Sequence, residues 1–250
     1  MDKWLVLKDQ CGFQKKKNPT YKYSYGKQNW YQSAKNECYN TRDNLGFFDL
    51  TPFVKFDLSG KYAHEQLQYL CANNIKNIEG RTTYTQMLNP SGGIEADVTV
   101  SCLKKDYFRI ICPALARSHN KSHILKNLTK KIKFEDVTDK YSCIGLFGPK
   151  SRKFLTELFG NYFSNENFPF SRGIYLNVAN SKVWFQRLSF IGELGWEIYI
   201  PIKKTLIIFK KIKKLGKKYD LIYSGMHTLD ILRLEKKFLH WGHDITSENN

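Results

Sequence analysis

The sequence predicts an α+β protein built as two successive units of strands and helices. Three observations predict it. The stretch Tyr84–Val100, Y-T-Q-M-L-N-P-S-G-G-I-E-A-D-V-T-V, alternates, reverses at Asn-Pro-Ser-Gly-Gly and alternates again, the pattern of an antiparallel hairpin. Segments of helical spacing stand around such strands, at Trp30–Asn44, about Tyr62–Cys71 and about Leu115–Thr129. A fresh strand, tight turn and helix start follow at Tyr141–Ser151, so a second unit begins near Val137. The expected partition is an extended lead-in over 1–29, a first subdomain over 30–135 containing the Gly92–Asp97 hairpin, and a second over 136–247 containing the Gly192–Glu197 phrase. With 250 residues, 42% of them apolar and 15% aromatic, the chain is long enough to bury a real core.

Each element has a local reason. The lead-in is polar, with Lys15-Lys16-Lys17, Asn18-Pro19 and then Tyr21, Tyr23 and Tyr25, and it lacks the periodic apolar residues that would bury a face. Trp30 to Asn44 suits a helix with Trp30, Ala34, Cys38 and Tyr39 near one face. Leu45–Phe53 ends that helix and turns the chain. Lys55–Leu58 reads as a strand with Phe56 and Leu58 inward, and Ser59-Gly60 leads to a helix from about Tyr62 to Cys71. In the central hairpin, two successive glycines give the backbone access to positive φ, which lets the second strand leave the turn sharply. Tyr107–Cys112 is a further strand, Pro113 breaks the ladder, and a helix follows from about Leu115 to Thr129.

In the second unit, Tyr141–Phe147 is a strand and a helix runs to Phe159. Arg172–Val178 and Val183–Phe190 are strands around the turn Ala179-Asn180-Ser181, and a strand follows through Ile200. Ile202–Lys218 places Ile202, Leu206, Phe209, Ile212 and Leu215 near helical spacing with lysines between. A basic amphipathic helix can bind a membrane, but the expectation here is a surface helix packed on a sheet. Asp220–Tyr223 returns as a strand and Gly225–Lys237 is a helix.

Composition narrows the function classes. Forty Lys+Arg against 23 Asp+Glu give +17, which invites a nucleic-acid reading. The excess is mostly Lys spread along the chain, with no zinc-finger spacing, helix-turn-helix phrase or RNA-binding aromatic signature, so a solvated basic surface is expected, without nucleic acid or membrane as partner. A polyanionic ligand would benefit from the same field. Cys11, Cys38, Cys71, Cys102, Cys112 and Cys143 form no C-x-x-C pair, which favours reduced thiols and a cytoplasmic protein. The N-terminus reads as no signal peptide, and no apolar run approaches the roughly 18 residues that span a bilayer.

Asp97 is the residue out of place. Aspartate is disfavoured in a strand and an unpaired buried carboxylate is expensive, so the position either faces water or is functional. Glu197 follows a strand-like alternation, with Trp196, Ile198 and Ile200 on one side and Glu197 and Tyr199 on the other. Gly148-Pro149-Lys150-Ser151 is a poor phosphate loop, since its glycine spacing is wrong and proline removes an amide donor. His240, His243 and Asp244 sit in a turn that offers no fixed ligand face, so no metal is expected. No G-x-G-x-x-G phrase follows a strand, so no dinucleotide site is expected either.

Tyr84–Thr99 matches the pattern Y-T-Q-M-L-N-x-x-G-G-I-E-x-D-x-T. In this the chain resembles the folate-binding family that includes the glycine cleavage T-protein (aminomethyltransferase), and more closely its branch fused to dimethylglycine and sarcosine dehydrogenases. Shorter phrases follow in order. Gly145–Arg152 resembles G-L-x-G-P-x-S-R, Phe190–Glu197 resembles Y-x-G-E-x-G-[WF]-E with Phe190 where tyrosine is usual, and His227–Lys236 resembles H-A-L-D-S-L-R-L-E-K. Tyr25–Trp30 resembles the phrase joining flavin and folate domains, and His240–Ile245 a structural turn before a third domain. The resemblance covers about residues 25 to 247.

The resemblance implies two antiparallel-sheet-plus-helix subdomains of the T-protein folate-binding fold, with the flavin domain and the C-terminal barrel missing. It implies tetrahydrofolate as cofactor, no FAD site in this chain, and a separate FAD-containing amine dehydrogenase chain as partner. The implied reaction moves an iminium or formaldehyde unit, from dimethylglycine, sarcosine or a similar amine, onto folate as 5,10-methylenetetrahydrofolate. Asp97 matches the catalytic carboxylate that orients N10 and accepts its proton. Thr99, Phe190, Glu197 and Tyr84 match folate-binding positions, with Glu197 suited to the N–H fork of a pterin and Phe190 able to stack without the tyrosine hydroxyl bond. An arginine that contacts folate in the T-protein branch is Leu229 here, and Arg233 is a weak substitute. The alternatives are an inactive or partner-dependent fragment and, from another class, a basic RNA- or membrane-binding module.

Overall fold

A computed structural model describes residues 20–249. Most of the expected lead-in, with Cys11 and Lys15–Lys17, lies outside the described residues. In chain order the first half comprises α1 (Tyr31–Asp43), β1 (Gly46–Asp49), β2 (Val54–Ser59), α2 (Ala63–Leu70), β3 (Thr82–Leu88), β4 (Ile94–Lys104), β5 (Tyr107–Cys112), α3 (Arg117–Asn127) and β6 (Lys133–Asp136). The second comprises β7 (Tyr141–Phe147), α4 (Ser151–Phe159), β8 (Gly173–Val178), β9 (Ser181–Gln186), β10 (Gly195–Pro201), α5 (Thr205–Gly216), β11 (Ile222–Ser224) and α6 (Met226–Glu235).

The strands make two sheets that pack face to face between helices. A five-stranded antiparallel sheet runs β3-β4-β5-β2-β6, and a six-stranded sheet runs β11-β1-β7-β10-β9-β8. Side-chain alternation assigns the layers. Phe56, Leu58, Val98, Val100 and Ile110 pack against Leu67 of α2 and Ile124 of α3. Ile144, Leu146, Trp196, Ile198 and Ile200 pack against Phe154 of α4 and Ile208 and Ile212 of α5. Between the sheets, Phe48, Leu103, Ile111, Phe147, Trp184 and Tyr199 form a third apolar cluster. The inner faces are therefore dry over part of their area, and polar side chains placed there must find partners. Asp57 and Arg109 pair bidentately, at 2.7 and 2.9 Å, with Arg109 also lying 4.1 Å from the ring centre of Tyr141, though its Nη1 has no hydrogen-bond partner.

The α+β class and the order of most elements follow the expectations, and the differences have physical reasons. The division expected between residues 135 and 136 is crossed, because α1 and β1 from the first half belong with the six-stranded sheet. That sheet is not wholly antiparallel: Gly46–Phe48 pairs in parallel with Ile222–Ser224. β1 was expected as a turn, but Phe47 and Phe48 bury opposite faces between two sheet neighbours, so its run of apolar residues marks a central strand. β6 carries no apolar alternation and is held as an edge by pairing with β2. In α1 the inward positions are Ala34, Glu37 and Thr41, whereas Tyr39 is exposed. Glu37 turns that face inward because its Oε2 accepts the Gly225 N–H and the Thr228 hydroxyl at the N-terminus of α6, at 2.9 and 2.7 Å. In α5, likewise, Ile208 and Ile212 are buried and Leu206 faces out.

At the hairpin the two glycines act differently. Gly92 has φ +87°, whereas Gly93 is required because a Cβ there would meet the Ser247 carbonyl at 1.9 Å. Asn89 closes the turn, its Oδ1 accepting the N–H groups of Ser91 and Gly93 at 3.0 and 2.8 Å. The C-terminal turn then packs on it, Ile94 N–H donating to Asn249 O and Trp241 Nε1 to Ile94 O.

Candidate active site

The inner faces of the two sheets part at one end, and two carboxylates line the gap. On β4, Ala96, Val98 and Val100 turn toward the helices, so the intervening Asp97 and Thr99 turn toward the other sheet. Cross-strand pairing sets Gln86 opposite Asp97 and Tyr84 opposite Thr99. Asp97 is 9% exposed, and its Oδ1 is buried without a hydrogen-bond partner. Burial raises its pKa, an effect that the Tyr84 and Gln86 side chains, close to the carboxylate, only partly offset. The same proximity helps push the Tyr84 hydroxyl above its ordinary range, after burial as the larger cause.

Glu197 comes from the facing sheet. Trp196 and Ile198 bury on the helix side, leaving Glu197 and Tyr199 on the inner face, as alternation predicts. Two donors hold it: Tyr199 hydroxyl at 2.7 Å and Gln186 Nε2 at 2.8 Å, both on Oε2. Oε1 keeps its lone pairs for another partner. Burial raises the Glu197 pKa, and the two hydrogen bonds and the charge of Lys55 act against it. Lys55 is itself wholly buried, donating to Thr51 O and Phe53 O at 2.9 and 2.7 Å, and burial lowers its pKa to about 8.

The gap holds two adjoining cavities of about 110 and 440 Å³. Tyr84, Thr99, Phe190 and Glu197 line both, and Asp97 lines the smaller. The structure thus brings together all five residues singled out in the sequence. Leu229 and Met226 of α6 add apolar wall, as do Phe238 and Leu239 beyond it. Phe190 stacks with Phe238, ring centres 6.5 Å apart, and meets His240 edge-on. Arg233 does not reach the gap. It is 2% exposed and fastens the chain after α6, donating to Asp230, to Phe238 O and to Asp244. Asp244 also accepts the His240 N–H, so the acid of the histidine turn is engaged by Arg233 and by its own backbone.

A model of the GCVT N-terminal domain matches residues 10–250. The chain belongs to the GCVT family. It is 34% identical over 230 residues to 4-methylaminobutanoate oxidase (formaldehyde-forming) of Paenarthrobacter nicotinovorans, covering 91% of this chain and 28% of that protein. It is 33% identical over 236 residues to mitochondrial sarcosine dehydrogenase of Homo sapiens, covering 88% and 26%. The chain therefore spans about a quarter of the length of these relatives. The crystal structure of the glycine cleavage system aminomethyltransferase T from Bartonella henselae superposes with a TM-score of 0.77 at 22% identity, over 92% of this chain and 62% of that one, so the two share the fold.

Within this GCVT domain, several residues of the site escaped the sequence reading. Gln86 shares the face of Tyr84 by simple alternation, so that signal was available. Gln186 was not foreseeable: it stands at the end of β9, and only sheet packing brings Ser101 Oγ to its Oε1 at 2.8 Å and its amide to Glu197. Trp184 Nε1 also donates to Gln186 Oε1, at 3.1 Å, which fixes the amide orientation. The described cysteines are free thiols, with Cys112 on the cavity wall and raised to about 12, chiefly by burial. Among the described residues no group of three or more His, Cys, Asp and Glu converges on a metal position, and no helix is long and apolar enough to cross a membrane.

Proposed function

We propose that this gap binds tetrahydrofolate and passes to it a one-carbon unit released from an N-methyl amine such as dimethylglycine or sarcosine. The observation that carries the reading is the pair of buried carboxylates on facing sheets, each with one oxygen that accepts no hydrogen bond from the protein. The residues fit the group. Glu197 Oε1 can accept an N–H donor of a pterin, Phe190 offers an aromatic face, and the Asp97 carboxylate lines the smaller cavity with one oxygen unpaired. When bound, tetrahydrofolate supplies a nucleophilic aryl amine that takes up the unit as 5,10-methylenetetrahydrofolate.

The chain's own contribution is placement and proton handling. Glu197, held by Tyr199 and Gln186, fixes the ligand's orientation, so that the reacting amine meets Asp97. Asp97 holds that amine and accepts its proton, and burial makes it a stronger base than a free aspartate. Thr99 and Tyr84 furnish hydroxyls at the rim, while Leu229 and Met226 exclude water from one wall. An amine-oxidising flavin unit delivers the one-carbon unit; two of the relatives are by name a formaldehyde-forming oxidase and a sarcosine dehydrogenase.

Calorimetric titration with tetrahydrofolate tests the reading. Glu197→Gln should weaken binding by about tenfold or more, the scale of a charged hydrogen bond. Asp97→Asn should bind within a few-fold of the natural chain, yet leave formaldehyde uncaptured when an amine dehydrogenase supplies it. A folded natural chain that gives no heat with tetrahydrofolate overturns the proposal.

A further inference from the structure

The outward face of α5 has the composition of a contact rather than of a solvated surface. Residues Ile202–Tyr219 contain eight lysines and no acid. Among the described residues only Lys218 of the eight is ion-paired, with Glu157. The helix buries Thr205, Ile208, Ile212 and Gly216. The opposite ridge, read at helical spacing, is Ile207, Lys210 and Lys214, with Leu206 and Lys211 on its flanks. Leu206 is 53% exposed and Ile207 48%, so two large apolar side chains stand in the middle of unpaired positive charge.

We infer that this face docks on an anionic lipid bilayer surface. Lysines alone would suit any polyanion, but burying Leu206 and Ile207 needs an apolar phase beside the charges, which the headgroup boundary of a bilayer provides and a nucleic-acid backbone does not. From Ile207 to Lys218 the ridge runs about 16 Å at the helical rise, a flat strip rather than a point. The position also leaves the candidate site unobstructed. β10 separates them, with Ile198 and Ile200 packed toward α5 and Glu197 turned to the gap, so the inference stands apart from the proposed function.

Sedimentation of the full chain with phosphatidylcholine vesicles, with and without about 30% phosphatidylserine, tests it. The chain should sediment with the anionic vesicles only, and less as salt rises. Lys210→Glu/Lys214→Glu should lower partitioning at least about tenfold, from the attraction of each lysine for an anionic surface. Leu206→Ser/Ile207→Ser should lower it several-fold while melts show a cooperatively folded chain, since both side chains are about half exposed. Equal sedimentation with both vesicle types overturns the inference. So does binding insensitive to Leu206→Ser/Ile207→Ser, or tighter retention of a homopolymeric RNA than of anionic vesicles, either of which would mark a general polyanion patch.

Discussion

Replacing Asp97 by Asn should stabilise the unliganded chain while removing the proposed base. Asp97 Oδ1 is buried without a donor, a position whose desolvation costs on the order of 1–3 kcal/mol. Asparagine has the same shape and no charge. Its amide brings two N–H donors, which Tyr84 Oη and Gln86 Oε1 can receive, so we expect to recover about 1–2 kcal/mol at neutral pH. For a chain of this size about 2–4 °C accompanies each kcal/mol, which predicts a rise in Tm of roughly 2–8 °C.

The sign of the pH dependence follows from the direction of the shift. Asp97 is raised above its ordinary 3.8, so the folded chain binds this proton more tightly than the unfolded chain does. Its stability contribution is whole below the unfolded pKa and is lost as pH rises through the folded one. The variant has no such loss at this position. Melts of both proteins across pH should therefore coincide, as far as this residue is concerned, near pH 3.8 and separate toward pH 7, with Asp97→Asn the more stable. A variant less stable at neutral pH, or a gap that does not change with pH, would refute the claim that burial at this site is stored against stability for use by a ligand.

Two further predictions concern the frame around the site. Asp57→Ala leaves Arg109, 1% exposed, without its bidentate partner and Tyr107 without its acceptor, so unfolding should become easier by about 3–5 kcal/mol; a chemical-denaturation change below about 1 kcal/mol would show that the pair does not hold the inner faces. Gly93→Ala puts a methyl 1.9 Å from the Ser247 carbonyl, which must move, costing about 1–3 kcal/mol and freeing the C-terminal turn. Hydrogen exchange of the Ile94 amide, bonded to Asn249 O in the natural chain, should then accelerate, and unchanged protection would mean that the turn adjusts without leaving the hairpin.

Much of this fold was legible because local pattern and tertiary role agree. Tyr107–Cys112 is a strand over the predicted residues, and the Tyr84–Val100 hairpin forms with its turn at Asn89–Gly93. The alternation around Glu197 also survives into the structure, each side chain buried on the face that period 2 assigns it. What failed was whatever depends on distant partners. Glu37 looks like a surface residue of an amphipathic helix until α6 presents its free amides. β1 looks like a turn until β7 and β11 flank it. Neither partner is near in sequence, so no window of the chain contains the cause.

Asp97 could be suspected but not placed for the same physical cause, a partner distant in sequence. A carboxylate in an apolar strand announces a conflict of local preference, yet whether water or a second sheet faces it is decided a hundred residues away. The link is Gln186. Ser101, on the face of β4 that also carries Asp97, donates to one end of its amide, and the other end donates to Glu197. That single side chain ties the strand of one carboxylate to the other carboxylate, and Trp184 keeps the amide from flipping. Two acids that resist burial are thereby held in register without either being neutralised by a protein cation in direct contact. Such an arrangement is costly for an empty protein, and it becomes reasonable when the missing donors arrive with a ligand.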